Sequence, residues 1–353
     1  MATRPGHDDW PDNFATLALL SAKEDFTGMS NMVLVSQQLS GDWLGELARH
    51  CDVQTLPAAD DLGDAAAQRA LLECQGLICL LTDRIDRALL DTMPNLAFVS
   101  SVSVGVDHVD VRALTERGIP LGNTPGVLVD TTADTAFALL LAAARRVGEA
   151  DRFIREGNWS PDNPWSPDFF LGRDVSGATL GIVGLGEIGQ AVARRAAGFG
   201  MRVLAWSRSG REAPGVENVP LEVLLQSSDF VSVHVALTAE TRGLLSAGEI
   251  ALMKPGAVLV NTARGGIVDE PALARALDSG QLFAAGIDVF EQEPVALDNP
   301  LLQHPRVVVT PHIGSATTQT RAKMVDLAVS NAMAALLAQP MPHCVNPQVY
   351  QRP

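Results

Sequence analysis

The chain reads as an α/β protein in which one doubly wound parallel sheet is inserted into a second α/β unit. Three observations predict this. Short apolar segments alternate with helical stretches in two series, one starting at Met32 and the other at Thr179. A G-x-G-x-x-G pattern directly follows the first strand of the second series. Hydrophobic residues make up 47% of the chain but aromatics only 5%, which suits helices packed closely on buried parallel strands. At 353 residues there is material for two or three domains.

Residues 1–31 are rich in Asp, Pro, Asn and Ser, lack periodicity and read as an N-terminal extension. The spacing then predicts a strand over 32–36, a helix over 42–50 and a strand over 52–56. An Ala-rich helix over 64–74, a strand over 76–81, a helix over 84–92 and a strand over 96–100 follow, leading into a loop at 102–109. One long helix is expected over 130–157, capped by Asp130 or Thr131, as a connector between domains. Residues 158–173 are irregular and carry Trp159, Trp165, Phe169 and Phe170. Six strands are expected in the second series, over 179–183, 202–206, 230–233, 257–261, 284–288 and 307–310. A last helix over 315–337 is long enough to return to the first unit. The expected division is an extension (1–31), an outer, flavodoxin-like α/β domain (32–126 with 315–353) and an inserted Rossmann-type dinucleotide-binding domain (127–314).

The formal net charge of −15 would repel nucleic acid and anionic lipid, so neither is an expected partner. No apolar run approaches the ~20 residues of a membrane span. The N-terminus lacks a basic stretch followed by an apolar one, so no signal peptide is expected. Cys51, Cys74, Cys79 and Cys344 fall at no zinc-like spacing and read as reduced thiols of a cytoplasmic protein, with no metal site.

The glycine motif is Gly184-Leu185-Gly186-Glu187-Ile188-Gly189. Its first glycine permits a tight turn, its second lets a pyrophosphate approach the backbone, and its third allows close helix–strand packing. The helix opening there offers N–H groups and a positive dipole end to phosphate. About 20 residues on, NAD-binding sequences place a carboxylate on the ribose. Here the second strand ends in Ser207-Arg208-Ser209, which has no carboxylate to repel a 2′-phosphate and an Arg to pair with one. NADP(H) is therefore the preferred cofactor expected, with NAD(H) possible. Three further strand ends carry polar groups: Arg264 beside two glycines, Asp288 with Glu291 and Glu293, and His312. Ligands bind at such carboxyl ends in doubly wound sheets.

The runs SVGVDHVD, TPGVLVDTTADTAFALLL, GLGEIG, NTARGGIVDE, DVFEQEP and TPHIGSAT together resemble the D-2-hydroxyacid dehydrogenase family, in family order and over roughly 32–345. Within that family the chain is most similar to glyoxylate/hydroxypyruvate reductases. The resemblance implies that His312 is the general acid/base, Glu293 its carboxylate partner and Arg264 the binder of the substrate carboxylate and carbonyl. It implies backbone N–H groups of Val104 and Gly105 for the substrate carboxylate. It implies cofactor contacts from Leu185 to Ile188 and from Val235, Thr241, Thr262, Asp288 and Gly314. A small 2-keto acid and homodimerisation are implied as well. The aromatic arm around Trp159 and Trp165 either lies near the dimer interface, as in this family, or packs locally over the connector helix. The junctions at 125–130 and 314–318 are the expected hinges. A phosphoglycerate-dehydrogenase-like enzyme using NAD and a non-catalytic, dinucleotide-sensing corepressor-like protein are the alternatives. The first is disfavoured by the lack of basic residues other than His108 in the 100–110 loop.

Overall fold

The computed structural model describes residues 31–39, 42–56 and 65–351; the extension expected at the N-terminus lies outside them apart from Asn31. The first sheet contains β1 (Met32–Val35), β2 (Asp52–Thr55), β3 (Gly76–Cys79), β4 (Phe98–Ser101) and β5 (Leu121–Gly122), all parallel, in the order β2-β1-β3-β4-β5. That is the flavodoxin-like order. The second contains β6 (Thr179–Val183), β7 (Arg202–Trp206), β8 (Val216–Asn218), β9 (Phe230–Val233), β10 (Ala257–Asn261), β11 (Leu282–Ile287) and β12 (Val307–Val309). Its order, β12-β11-β10-β9-β6-β7-β8, is the Rossmann arrangement with one added edge strand.

The fold is a two-domain, Rossmann-type α/β architecture. Central strands such as β1, β3, β4, β9 and β10 are buried along their whole length, which is why they read as unbroken apolar runs rather than alternating ones. The chain enters the second sheet through the helix Val129–Ala144 and leaves it through the helix Thr318–Leu336. That last helix packs back on β3, β4 and β5, nesting one unit within the other. Two buried asparagines secure the return. Asn331 donates to the Asn123 carbonyl (3.0 Å) and accepts from the His343 N–H (3.0 Å). Asn346 accepts from the Leu121 N–H (2.8 Å) and donates to the Ile119 carbonyl (2.9 Å), completing the edge of β5.

Three expectations are corrected. The second sheet has seven strands, not six, because the short edge strand β8 pairs with β7. The helix expected over 130–157 is two helices, Val129–Ala144 and Val147–Arg155, joined at Arg146, which is left-handed (φ 56°). The break is held from outside. The Arg173 N–H takes the Ala144 carbonyl (2.8 Å), and the Arg146 guanidinium grips Glu149 while lying 4.7 Å over the Phe170 ring. Neither Asp130 nor Thr131 caps the connector; Leu128 precedes its first turn without a side-chain cap, and Asp130 faces Arg195. Among the described residues, no helix is long and apolar enough to cross a membrane.

Replacing Asn346 with Ala strands the Leu121 N–H and the Ile119 carbonyl in a dry environment. Each orphaned group costs about 1–3 kcal/mol. Urea unfolding followed by circular dichroism should show a lowered midpoint with an unchanged slope.

Candidate active site

The glycine turn after β6 meets the geometric demands of a dinucleotide. Gly184 has φ 104°, and a Cβ there would sit 2.7 Å from the His234–Val235 backbone. A Cβ on Gly189 would lie 2.1 Å from the Gly184 carbonyl oxygen, so helix Glu187–Gly198 approaches β6 only because that residue is glycine. A Cβ on Gly186 would meet nothing within 4 Å, so the turn presents bare backbone to open space at the helix N-terminus. Leu185 is buried beneath the turn, and Glu187 stands in the first helical turn.

A cavity of about 670 Å³ lies between the carboxyl edges of the two sheets. The second sheet contributes Ile188, Val235, Thr262, Arg264, Asp288, His312 and Gly314 to its wall, and the first contributes Val104 and Gly105. The Thr262 hydroxyl is buried with no hydrogen-bond partner among the described residues. Buried polar atoms rarely go unpaired, so an orphan in a cavity wall fits a polar ligand group placed against it. With the glycine turn, this makes the wall a suitable seat for a dinucleotide.

At the far side, Asp288 is fully buried just beyond β11. One of its oxygens accepts from the Thr310 hydroxyl (2.6 Å) and the Ile313 N–H (2.8 Å), the other from the Gly314 N–H (2.8 Å). Burial pushes this carboxyl above its ordinary value, while the Thr310 hydroxyl and the two N–H groups pull against it. The clasp holds His312 in a left-handed conformation (φ 53°). The His312 Nδ1 lies 2.7 Å from Glu293 Oε2, and the other Glu293 oxygen accepts from the Phe290 N–H (2.9 Å). Burial raises the Glu293 carboxyl, but the hydrogen bond and charge of His312, with the Phe290 N–H and Arg264, leave it below its ordinary value.

The loop after β4 is anchored from behind. The Ser103 hydroxyl donates to the Gly105 carbonyl (2.7 Å) and Asn123 donates to the Val104 carbonyl (3.0 Å). Ser101 joins this chain, lying within hydrogen-bond distance of both Ser103 and His108. Burial lowers the basicity of His108. Opposite, Arg264 follows β10, and its Nε donates to Asp107 Oδ1 (2.9 Å) while its Nη1 donates to the Ala263 carbonyl (2.9 Å).

The remaining predicted residues are more peripheral. Ser207, Arg208 and Ser209 follow β7 at the same edge; Ser207 accepts from the Arg211 N–H (3.0 Å), and the exposed Arg208 lies 3.7 Å from Glu240. The Thr241 hydroxyl is engaged within its own turn, donating to the Ala236 carbonyl (2.6 Å) and accepting from the Thr238 N–H (2.8 Å). Of the cavity residues that were not singled out from sequence, Asp107 and His234 bear on the site. Asp107 sits inside the SVGVDHVD run, where its type and place beside Gly105 were a usable signal. His234 follows β9 with its ring 2.8 Å from the Ser232 hydroxyl, and burial pushes its imidazole down to about 3, so it lines the cavity uncharged.

A glycine turn for a dinucleotide, with Arg264 and the His312 of a His–carboxylate pair lining one cavity, defines a nicotinamide-dependent oxidoreductase. Comparison with known proteins narrows the class. Residues 137–314 match the family described as D-isomer specific 2-hydroxyacid dehydrogenase, NAD binding domain. A glyoxylate reductase of Korarchaeum cryptofilum is 46% identical over 325 residues, covering 91% of this chain and 97% of the relative. One from Thermococcus litoralis is 47% identical over 282 residues, covering 78% and 85%. An NADPH-dependent glyoxylate/hydroxypyruvate reductase from Sinorhizobium meliloti, solved with NADP and malonate, superposes with a TM-score of 0.82 at 33% identity, covering 92% of this chain and 99% of that one. The chain therefore belongs to the D-2-hydroxyacid dehydrogenase family and is a nicotinamide-dinucleotide-dependent dehydrogenase, similar in sequence to glyoxylate reductases.

Substituting the motif glycines separates folding from binding. Gly186→Ala should unfold at the wild-type temperature yet weaken dinucleotide affinity at least tenfold in a fluorescence titration, because its methyl enters only the open space. Gly189→Ala should lower the unfolding temperature itself, as overpacking typically costs about 1–3 kcal/mol.

Proposed function

We propose that this enzyme reduces glyoxylate and hydroxypyruvate to their 2-hydroxy acids with NADPH. The observation that carries the reading is the 2.7 Å His312–Glu293 pair at the cavity wall that also holds Arg264, at the carboxyl edge carrying the glycine turn. In this reading the outer domain comprises 32–126 with 315–353, and the cofactor domain 127–314. Gly184, Leu185, Gly186, Glu187, Ile188 and Gly189 hold the pyrophosphate; Val235, Thr241, Thr262, Asp288 and Gly314 line the remainder of the cofactor seat.

Bound in that seat, the reduced nicotinamide supplies hydride to the carbonyl carbon. Arg264 and the backbone N–H groups of Val104 and Gly105 receive the substrate carboxylate, and the guanidinium also stabilises charge developing on the carbonyl oxygen. His312 donates the proton that this oxygen takes up. Glu293 orients the ring through Nδ1 and lies against its positive charge, leaving Nε2 for the substrate. Arg264 remains charged throughout, so it clamps and does not donate.

Support for NADPH is the Ser207-Arg208-Ser209 turn, which offers a guanidinium and no carboxylate of its own, and the NADP-bound Sinorhizobium relative. Glu240 beside Arg208 is the group a 2′-phosphate would have to displace. Two copies associate, in this reading, through the face bearing the exposed Ile154, Trp159, Trp165 and Leu171. The four cysteines, all free, suit the cytoplasm.

Initial rates of NADPH and NADH oxidation, each with glyoxylate, hydroxypyruvate, pyruvate and phosphohydroxypyruvate, test the assignment. Faster turnover with NADPH and the first two acids is expected, with Arg208→Ala raising KM for NADPH and not for NADH. Cofactor binding without turnover of any keto acid would instead favour a dinucleotide sensor. A second measurement addresses the acid. His312→Ala should lower kcat by roughly 10²–10⁴-fold. Glu293 is charged at any pH above the ordinary carboxylate value of about 4.3. Glu293→Gln removes that charge, and its single amide oxygen can serve only one of the two donors, the His312 ring or the Phe290 N–H, so the alkaline limb of the kcat/KM profile for reduction should move to lower pH.

A further inference from the structure

We infer that Asp107 is the positioning residue that aims Arg264 across the cleft, so that the guanidinium is set for the substrate carboxylate only while the two domains are closed together. The inference rests on the proposed role of Arg264 and extends it to a residue of the opposite wall.

The guanidinium is constrained on two of its three nitrogens. Nε donates to Asp107 Oδ1 and Nη1 to the Ala263 carbonyl, each at 2.9 Å. Nη2 makes no hydrogen bond among the described residues and lies so close to Gly105 that a Cβ there would sit 2.2 Å from it. The one uncommitted nitrogen thus faces the residue whose backbone N–H is assigned to the carboxylate. Asp107 in turn is carried by a loop fixed from behind through Ser103 and Asn123. Both side chains of the ion pair are largely shielded, 23% and 28% exposed, unlike the exposed pairs on the surface.

A competing explanation is that Asp107 merely occupies Arg264 until substrate displaces it. A full competitor would take a fork of the guanidinium through two parallel N–H groups, either Nη1 with Nη2 or Nε with Nη2. Asp107 instead holds Nε and leaves Nη2 facing Gly105. Its cost is that a negative charge stands near an anionic substrate; its gain is that a long, flexible side chain is ordered before the substrate arrives. Arg264 follows β10 and Asp107 follows β4, 157 residues apart, so opening of the cleft parts them and closure restores the aim.

The two explanations predict opposite signs. With glyoxylate and NADPH, Asp107→Ala should raise KM for the keto acid and lower kcat/KM by ~10²-fold, the scale of a 1 Å misplacement, with KM for NADPH unchanged. Asp107→Asn, whose amide oxygen still accepts from Nε, should recover to within about tenfold of wild type. Because one negative charge also leaves with Asn, this recovery separates geometry from electrostatics. Thermal unfolding of each variant identifies losses due to misfolding, and Asn, nearly isosteric, keeps the test open if Ala fails to fold. An unchanged or lowered KM in folded Asp107→Ala would overturn the inference. Arg264→Ala alone tells the two levels apart. If it leaves KM unaltered, the assigned role of Arg264 fails and this inference with it; if it raises KM while Asp107→Ala does not, only the inference fails. In the double variant, loss of Asp107 should add little to loss of Arg264, since one acts through the other.

Discussion

The site depends on one buried carboxylate. Asp288 emerges from β11 and gathers the Thr310 hydroxyl and the Ile313 and Gly314 N–H groups, all from the segment following β12. A non-glycine residue held at positive φ costs on the order of 1–3 kcal/mol unless its surroundings determine it. Three donors converging on one side chain supply that determination, and the strained residue is His312. Its ring then falls where Glu293 can meet Nδ1, and Glu293 is itself pinned by the Phe290 N–H. Pairing of β11 with β12 sets the register, the clasp sets the turn, and the turn sets the ring.

The opposite wall is organised by a different economy. Carbonyl oxygens at Val104 and Gly105 are tied to Asn123 and Ser103 behind them, which fixes the loop without using the groups that face the cavity. The cavity is hence lined by rigid backbone on one side and by side chains on strand ends on the other. A protein of net charge −15 still offers an anion one uncommitted guanidinium nitrogen there, in a cavity that the uncharged His234 also lines. The local field, rather than the global charge, governs what enters.

Much of this was legible in the sequence, because it rests on local pattern. The buried strands are unbroken apolar runs, the glycine turn follows its strand immediately, and Arg264, Glu293 and His312 each sit just past a strand end. What escaped depends on distant contacts. Nothing in Ala144-Arg145-Arg146-Val147 marks a helix break; it is enforced by Arg173 and Phe170, more than twenty residues on. Strand β8 is three residues of mixed polarity, recruited only by its neighbour β7. Asp107 acquires its meaning from Arg264, which no local window contains. Leu128 rather than Asp130 precedes the connector because Asp130 is drawn toward Arg195 on the adjoining helix.

The nested path has a consequence for biosynthesis. The first sheet shares its core with the helix Thr318–Leu336, where Met324, Val325, Ala328, Val329 and Ala332 pack against Val33, Ile78 and Phe98. Until the ribosome has released that helix, the strands made first keep an apolar face bare. The sheet from β6 to β12, made later but contiguous, has everything it needs sooner. The nascent chain thus finishes its middle before its beginning, and residues 32–122 are the stretch for which a chaperone has the longest time to act.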